Sequence, residues 1–266
     1  NLWDFRNNHY HAWVSEEGIL EKLAPIAPSD KVITSGTYAV GIGIHDSSAA
    51  IVPYLKNFSE PFVLLSTGTW SITLNPFNDQ PLTDEELRSD CLCYLQFNGR
   101  PVKASRLFMG YEHDKHVRRI ADHFNKNAQH YQSMMFHEEI GSKLKLLHKD
   151  IEINQAGEIP FANRKLSDFA SGEEAYHQLL FDLVARQYAS TKLVLKGRPI
   201  KNLFVDGGFS KNPVYMNLLA SFFPDMEVAA SSVAHATALG AALVIHEAWN
   251  TKAVPGNLIE LVRYSR

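Results

Sequence analysis

Only two cysteines, Cys91 and Cys93, occur among 266 residues, one residue apart. A lone C-x-C with no second pair is a weak metal signal and makes no disulfide framework; it fits buried thiols in a reducing compartment. An excess of charge is equally lacking, with 26 Lys and Arg against 29 Asp and Glu for a formal net charge of −3. That balance supplies no basic field to gather nucleic acid or an anionic membrane. No apolar run approaches the roughly 20 residues of a bilayer span, and no signal-peptide pattern opens the chain. Neither G-x-G-x-x-G nor G-x-x-x-x-G-K-[ST] occurs, so dinucleotide-fingerprint and P-loop sites have no support. No repeat of solenoid period and no low-complexity linker is present. What is there is 45% apolar and 21% charged, enough for a sizeable core in one large domain or two ordinary ones. These limits leave a cytoplasmic α/β protein.

The opening "NLWDFRNNHYHAWV" carries no initiator Met and is dense in aromatics, which reads as the interior of a domain. "HAWVSEEGILEKLAPIAP" predicts a short surface helix ended by Pro25 and Pro28. "YAVGIGI" predicts a buried strand, followed by a helix that Asp46, Ser47 or Ser48 can cap and that Pro53 stops. The runs Pro61 to Thr67 and Ser71 to Asn75 flank Gly68-Thr69-Trp70 and predict a β-hairpin. Residues 76 to 103 read as loop with one short strand near Cys93 to Leu95. Apolar spacing from Ala104 to about Asn127 predicts a long amphipathic helix broken at Gly110. Residues 128 to 170 are polar and His-rich, with turn signals at Asn154 to Gly157. Glu173 to Leu195 is the clearest helix. A strand at Asn202 to Val205 then runs into Asp206-Gly207-Gly208, with Pro213 in the first turn of the next helix. A strand at Met226 to Ala230 and a small-residue helix, "ATALGAALVIHEAW", follow.

Three stretches combine a strand end with glycine and hydroxyl or carboxylate groups, the place where ligands settle in α/β proteins. Around Gly68, the N–H groups and the Thr67 and Thr69 hydroxyls can present themselves to phosphate oxygens; the same residues also make an ordinary hairpin turn. Gly207 and Gly208, before Phe209, Ser210 and Asn212, allow a flat ligand to approach the backbone, or form a plain strand-to-helix turn. Asp46, between strand-like and helix-like residues, is a structural cap or an ionised general base held by the helix dipole. His9 with His11, and His113 with His116, are spaced to share a metal, but no third ligand accompanies either pair and no metal is assigned.

The ordered set "GIGIHDSSAA", "FVLLSTGTWSI", "LFVDGGFSKNPVYMNLLASFF" and "ATALGAAL" resembles the C-terminal half of the FGGY carbohydrate kinases. The His-Asp pair and the Thr-Gly-Thr-Trp turn are closest to the rhamnulose and fuculose kinase branch. The resemblance runs from the opening to about Glu247, and implies a ribonuclease H-like α/β domain of the actin and hexokinase type, preceded by the tail of a similar domain. Residues 1–58 would close the first, sugar-binding domain, and residues 59–266 would form the second, ATP-binding one. It implies ATP and Mg2+, and phosphorylation of a ketose such as rhamnulose, fuculose or xylulose. Asp46 matches the catalytic base, and His45 with Asp46 would meet the sugar. Thr67, Gly68 and Thr69 match the phosphate turn; Gly207, Gly208, Phe209, Ser210 and Asn212 match the turn beside the adenosine. The partners implied are sugar and ATP, with no nucleic acid and no membrane, and a homodimer as a candidate assembly. A non-catalytic nucleotide- or sugar-binding module, or an ATPase of the same superfold, is the rival expectation. The sequence departs from the family at His235, where an acidic residue is usual. The segment before "GTYAVGIGI" is also short, and the body of the first domain, with its Asp-x-Gly-Thr turn, is missing.

Overall fold

An apolar run as continuous as Phe62–Leu65 leaves no polar face to turn toward water, so a strand made from it must be covered on both sides. The computed structural model, which describes residues 2–132, 134–147, 158–197, 199–233 and 235–264, buries all four side chains. The expected turn at Asn154 to Gly157 lies outside the described residues.

The strands are β1 (Trp3–Asp4), β2 (His9–Tyr10), β3 (Val32–Ser35), β4 (Tyr38–Gly41), β5 (Phe62–Thr67), β6 (Ser71–Asn75), β7 (Cys91–Leu95), β8 (Pro101–Leu107), β9 (Asn202–Gly207), β10 (Glu227–Ser232) and β11 (Glu260–Tyr264). β1 and β2 form one small antiparallel pair, and β3 and β4 another. The rest make one seven-stranded mixed sheet in the order β11-β10-β9-β5-β6-β8-β7, parallel only at β5–β9 and β9–β10.

Alternation along β5 sends Val63 and Leu65 to one face and Phe62 and Leu64 to the other. The first face packs under the helices Met109–His123, Gly172–Val194 and Pro213–Phe222, joined by Leu203, Val205 and Val228 from the neighbouring strands. The second meets Ile51 and Tyr54, with Leu74, Val102, Phe204 and Ala229. Full burial of each such side chain contributes roughly 1.5–3 kcal/mol. The helical segment Asp46–Asn57 therefore rests on the seven-stranded sheet, its Phe58 ring 4.5 Å from Phe204.

β6 alternates in the manner of a half-exposed strand, yet its polar side is buried. Ser71 Oγ donates to Gln187 Oε1 at 2.6 Å and Thr73 bonds Thr191 at 3.0 Å, so the Gly172–Val194 helix satisfies the polar face directly. Ser171 caps that helix by accepting from Glu174 N.

Four expectations are corrected. "YAVGIGI" is not a buried strand: only Tyr38–Gly41 is extended, it pairs only with β3 among the described strands, and Tyr38 is 74% exposed. Pro53 does not end the helix, because it takes the second position of a renewed helix Val52–Asn57, where its missing N–H costs nothing. Residues 104–107 are strand rather than helix, since β8 is hydrogen-bonded on both sides, to β6 and β7; the helix begins at Met109. The stretch 76 to 103 also holds a helix, Asp84–Arg88, with a complete capping box between Thr83 and Glu86. β8 escapes detection because Lys103 is buried within it; its ammonium lies 3.0 Å from the equally buried Glu86 carboxylate.

Candidate functional site

β5 and β9 run parallel and end level, with Thr67 opposite Gly207 in the register. Both glycine turns therefore emerge side by side at one end of the sheet. Gly207 has φ +90°, and a Cβ there would lie 1.9 Å from the Thr67 carbonyl oxygen, so no other residue fits. The Thr67 hydroxyl is turned inward: it donates to Asp206 O at 2.6 Å and accepts from Phe209 N at 3.0 Å. This hydroxyl locks one turn to the other instead of facing a ligand. Gly68 and Thr69 are exposed, as is Gly208, beside which nothing lies within contact of an added Cβ. Ser210 Oγ donates to Gly207 O at 2.8 Å, and Asn212 caps the Pro213–Phe222 helix by accepting from Tyr215 N at 3.1 Å. Phe209 is buried, its ring 4.9 Å from Tyr215 and 5.0 Å from His113.

Gly110 completes the group, although the sequence showed it only as a helix break. Its N–H donates to Thr69 O at 3.1 Å, and a Cβ there would come within 2.2 Å of Gly68 O. The start of the Met109–His123 helix is thus laid against the Gly68 turn. Beside it, exposed Trp70, Phe108 and Tyr111 form a row with centroid spacings of 4.8 and 5.2 Å, and Arg106 sits over Trp70.

Asp46 is the first residue of the helical segment, with its side chain 75% exposed. The expected cap is corrected: His45 holds the capping position, its Nδ1 accepting from Ser47 N at 3.3 Å. Asp46 Oδ1 accepts from Ser47 N at 2.6 Å and lies 3.0 Å from His45 Nδ1. Among the described residues the hydrogen bonds and ion pair of Asp46 stay within His45–Ser47, and none reaches either glycine turn. Its connection to them runs through its helix. Tyr54, fully buried, places its hydroxyl 3.3 Å from Asp206 Oδ2 and 2.8 Å from Ser231 Oγ, while Asp206 Oδ1 accepts from Gly207 N at 2.7 Å. Burial pushes the Tyr54 phenol well above its ordinary range, and the Asp206 carboxylate adds to this. The small-residue helix Ala236–Val244 crosses the same segment so closely that a Cβ on Gly240 would sit 1.8 Å from Ala49 O. His235 precedes it with φ +51°.

The histidine pairs do other work. His113 and His116 are buried in the Met109–His123 helix, and burial lowers the pKa of both. His11 instead lies 3.7 Å from Asp4. Among the described residues no helix is long and apolar enough to cross a membrane, and no group of three His, Cys, Asp or Glu side chains is gathered to hold a metal ion.

A family model described as "Carbohydrate kinase FGGY, C-terminal domain" matches residues 59–253. No curated protein matches the sequence. Among solved structures, a carbohydrate kinase from Novosphingobium aromaticivorans superposes with a TM-score of 0.71 at 20% identity, over 99% of this chain and 59% of its own. A xylulose kinase from Lactobacillus acidophilus gives 0.71 at 14% identity, over 99% and 57%, and a gluconate kinase from the same organism gives 0.72 at 13%, over 99% and 57%. The chain thus spans less than two thirds of the length of each of these structures. The shared architecture is the ribonuclease H-like, actin-type fold with a mixed sheet.

Proposed function

Since this chain belongs to the FGGY carbohydrate kinases through their C-terminal domain, we propose that it carries the ATP-binding side and the catalytic base of an ATP-dependent ketose kinase. The observation that supports this most is the interlocking of the Thr67 and Gly207 turns, which leaves Gly68, Thr69 and Gly208 open at one sheet end. A nucleotide laid there meets backbone N–H groups and bare glycine surface, which suits phosphate oxygens and a flat ring. In this proposal Thr67, Ser210 and Asn212 hold the turns in shape, with Phe209 packed beneath them. Gly68, Thr69, Gly207 and Gly208 meet the ligand.

Asp46 then serves as general base, with residues 1–58 on the sugar side and 59–266 on the nucleotide side. Its exposed carboxylate takes the proton of the sugar hydroxyl. The hydroxyl oxygen bonds to the terminal phosphorus of ATP as the bond to the ADP oxygen breaks. His45, whose exposed ring adjoins Asp46, would meet the sugar. Magnesium neutralises phosphate charge in such transfers; the described residues gather no metal-binding set of their own, so none is given that role. The acceptor is a ketose of the rhamnulose, fuculose or xylulose kind.

The test is turnover of the complete gene product against a ketose panel, with Asp46→Asn as the variant. Loss of a general base lowers kcat by roughly 10²–10⁴-fold, and ADP binding should persist. Undiminished turnover rules out Asp46 as the base. Nucleotide binding without sugar-dependent ADP release in the unaltered protein points instead to a binding module, and ADP release indifferent to sugar points to an ATPase.

A further inference from the structure

Beneath the Gly207–Asn212 turn lies a chain of buried hydrogen bonds whose proton directions can be assigned. Asn212 Oδ1 accepts the helix N–H of Tyr215, so its amide nitrogen must point the other way, and it donates to Tyr176 Oη at 2.6 Å. With that oxygen already accepting, the single Tyr176 proton goes to its other neighbour, His113 Nε2 at 3.2 Å. His113 must then be neutral with its proton on Nδ1, which donates to Asp114 Oδ1 at 3.1 Å. Tyr176, Asn212 and His113 are all buried, so none of these groups has water to fall back on. The His113 ring also stands edge-on to Phe209, at 78°. Its own helix, Met109–His123, is pinned in its first turn, where Gly110 N donates to the Thr69 carbonyl. One side chain therefore touches both the helix that abuts the Gly68 turn and the residues that shape the Gly207 turn.

We infer that His113 is a positioning residue for nucleotide binding: as the terminal acceptor of the Asn212–Tyr176–His113 relay, it sets the orientation of Asn212 and Phe209 under the Gly207-Gly208 surface. The inference rests on the nucleotide site proposed above. Burial lowers the His113 pKa, which favours the neutral ring, and the Asp114 carboxylate facing Nδ1 draws the one ring proton to that side, leaving Nε2 to accept.

The experiment is titration of the 266-residue chain with ADP by calorimetry, with thermal melts on each variant. His113→Phe keeps an aromatic ring but cannot accept, and ADP affinity should fall roughly three- to tenfold, the worth of one buried hydrogen bond. Tyr176→Phe breaks the relay one link earlier and should lose as much, which carries the test if His113→Phe fails to fold. His113→Gln, whose amide oxygen can accept from Tyr176, should restore most of the affinity. Nitrogen-15 spectra of labelled histidine should show His113 Nε2 unprotonated and Nδ1 protonated. If folded His113→Phe and Tyr176→Phe bind ADP as tightly as the unaltered chain, or if Nε2 carries the proton, the positioning role is overturned. If the unaltered chain does not bind ADP at all, the nucleotide site itself is overturned, and the role with it.

Discussion

The two sides of the proposed cleft are built by opposite means. On the nucleotide side, Thr67, Asp206, Gly207 and Phe209 bond to one another, and Gly110 closes against Gly68 with no space for a methyl group. On the sugar side, Asp46 stands at the start of a five-residue helix, three-quarters exposed, held by its two sequence neighbours. The first side is pre-shaped, so little ordering remains to be done when a ligand arrives. The second presents a charge and leaves its surroundings to water. What joins them is the helical segment Asp46–Asn57, anchored at Tyr54 to Asp206 and at Ala49 to Gly240.

The locked side should break hardest. Gly207→Ala forces a side chain into a positive φ and against the Thr67 carbonyl. A cost of about 1–3 kcal/mol for the backbone conformation, plus the clash, is expected in urea unfolding, together with loss of ADP binding. Unchanged stability would mean the two turns are not interlocked. Tyr54→Phe tests the joint. It keeps the ring among Phe58, Phe62 and Phe204 but strips a hydroxyl from Asp206 and Ser231, so about 1 kcal/mol of stability should go. In the complete protein the loss should fall on kcat/KM for sugar and nucleotide together; an effect confined to one substrate would show the helix is not the link. His45→Ala should do least. Its ring is exposed and its capping bond long, so stability should shift by less than about 0.5 kcal/mol, and a larger shift would show that the presented side is as tightly held as the other.

Much of the locked side was legible because its signals are local. The run Phe62–Leu65 and the glycine after it define a hairpin without outside help, and Asn212-Pro213 announces a helix start wherever it occurs. The illegible parts depend on distant partners. Lys103 reads as solvent-facing until Glu86 neutralises it. Ser71 and Thr73 read the same way until Gln187 and Thr191 arrive from more than a hundred residues on. Gly110 gave a signal, but of the wrong kind: it marked a break, while its use is the close approach to Gly68. That His45 caps the helix instead of Asp46 was hidden by a common preference, since a carboxylate is the usual cap and an imidazole is not.

The pairing of β5 with β9 carries a consequence for synthesis. The Thr67 hydroxyl bonds a partner 139 residues further along the chain. Until that partner leaves the ribosome, β5 has a bare hydrogen-bonding edge flanked by Phe62, Val63, Leu64 and Leu65, a short segment of high β-propensity and no charge. Contacts this remote close late, and loop-closure entropy delays them further. The strand that anchors the finished site is therefore an adhesive segment of the nascent chain, and a chain cut anywhere before Asn202 would leave that edge without its β9 partner.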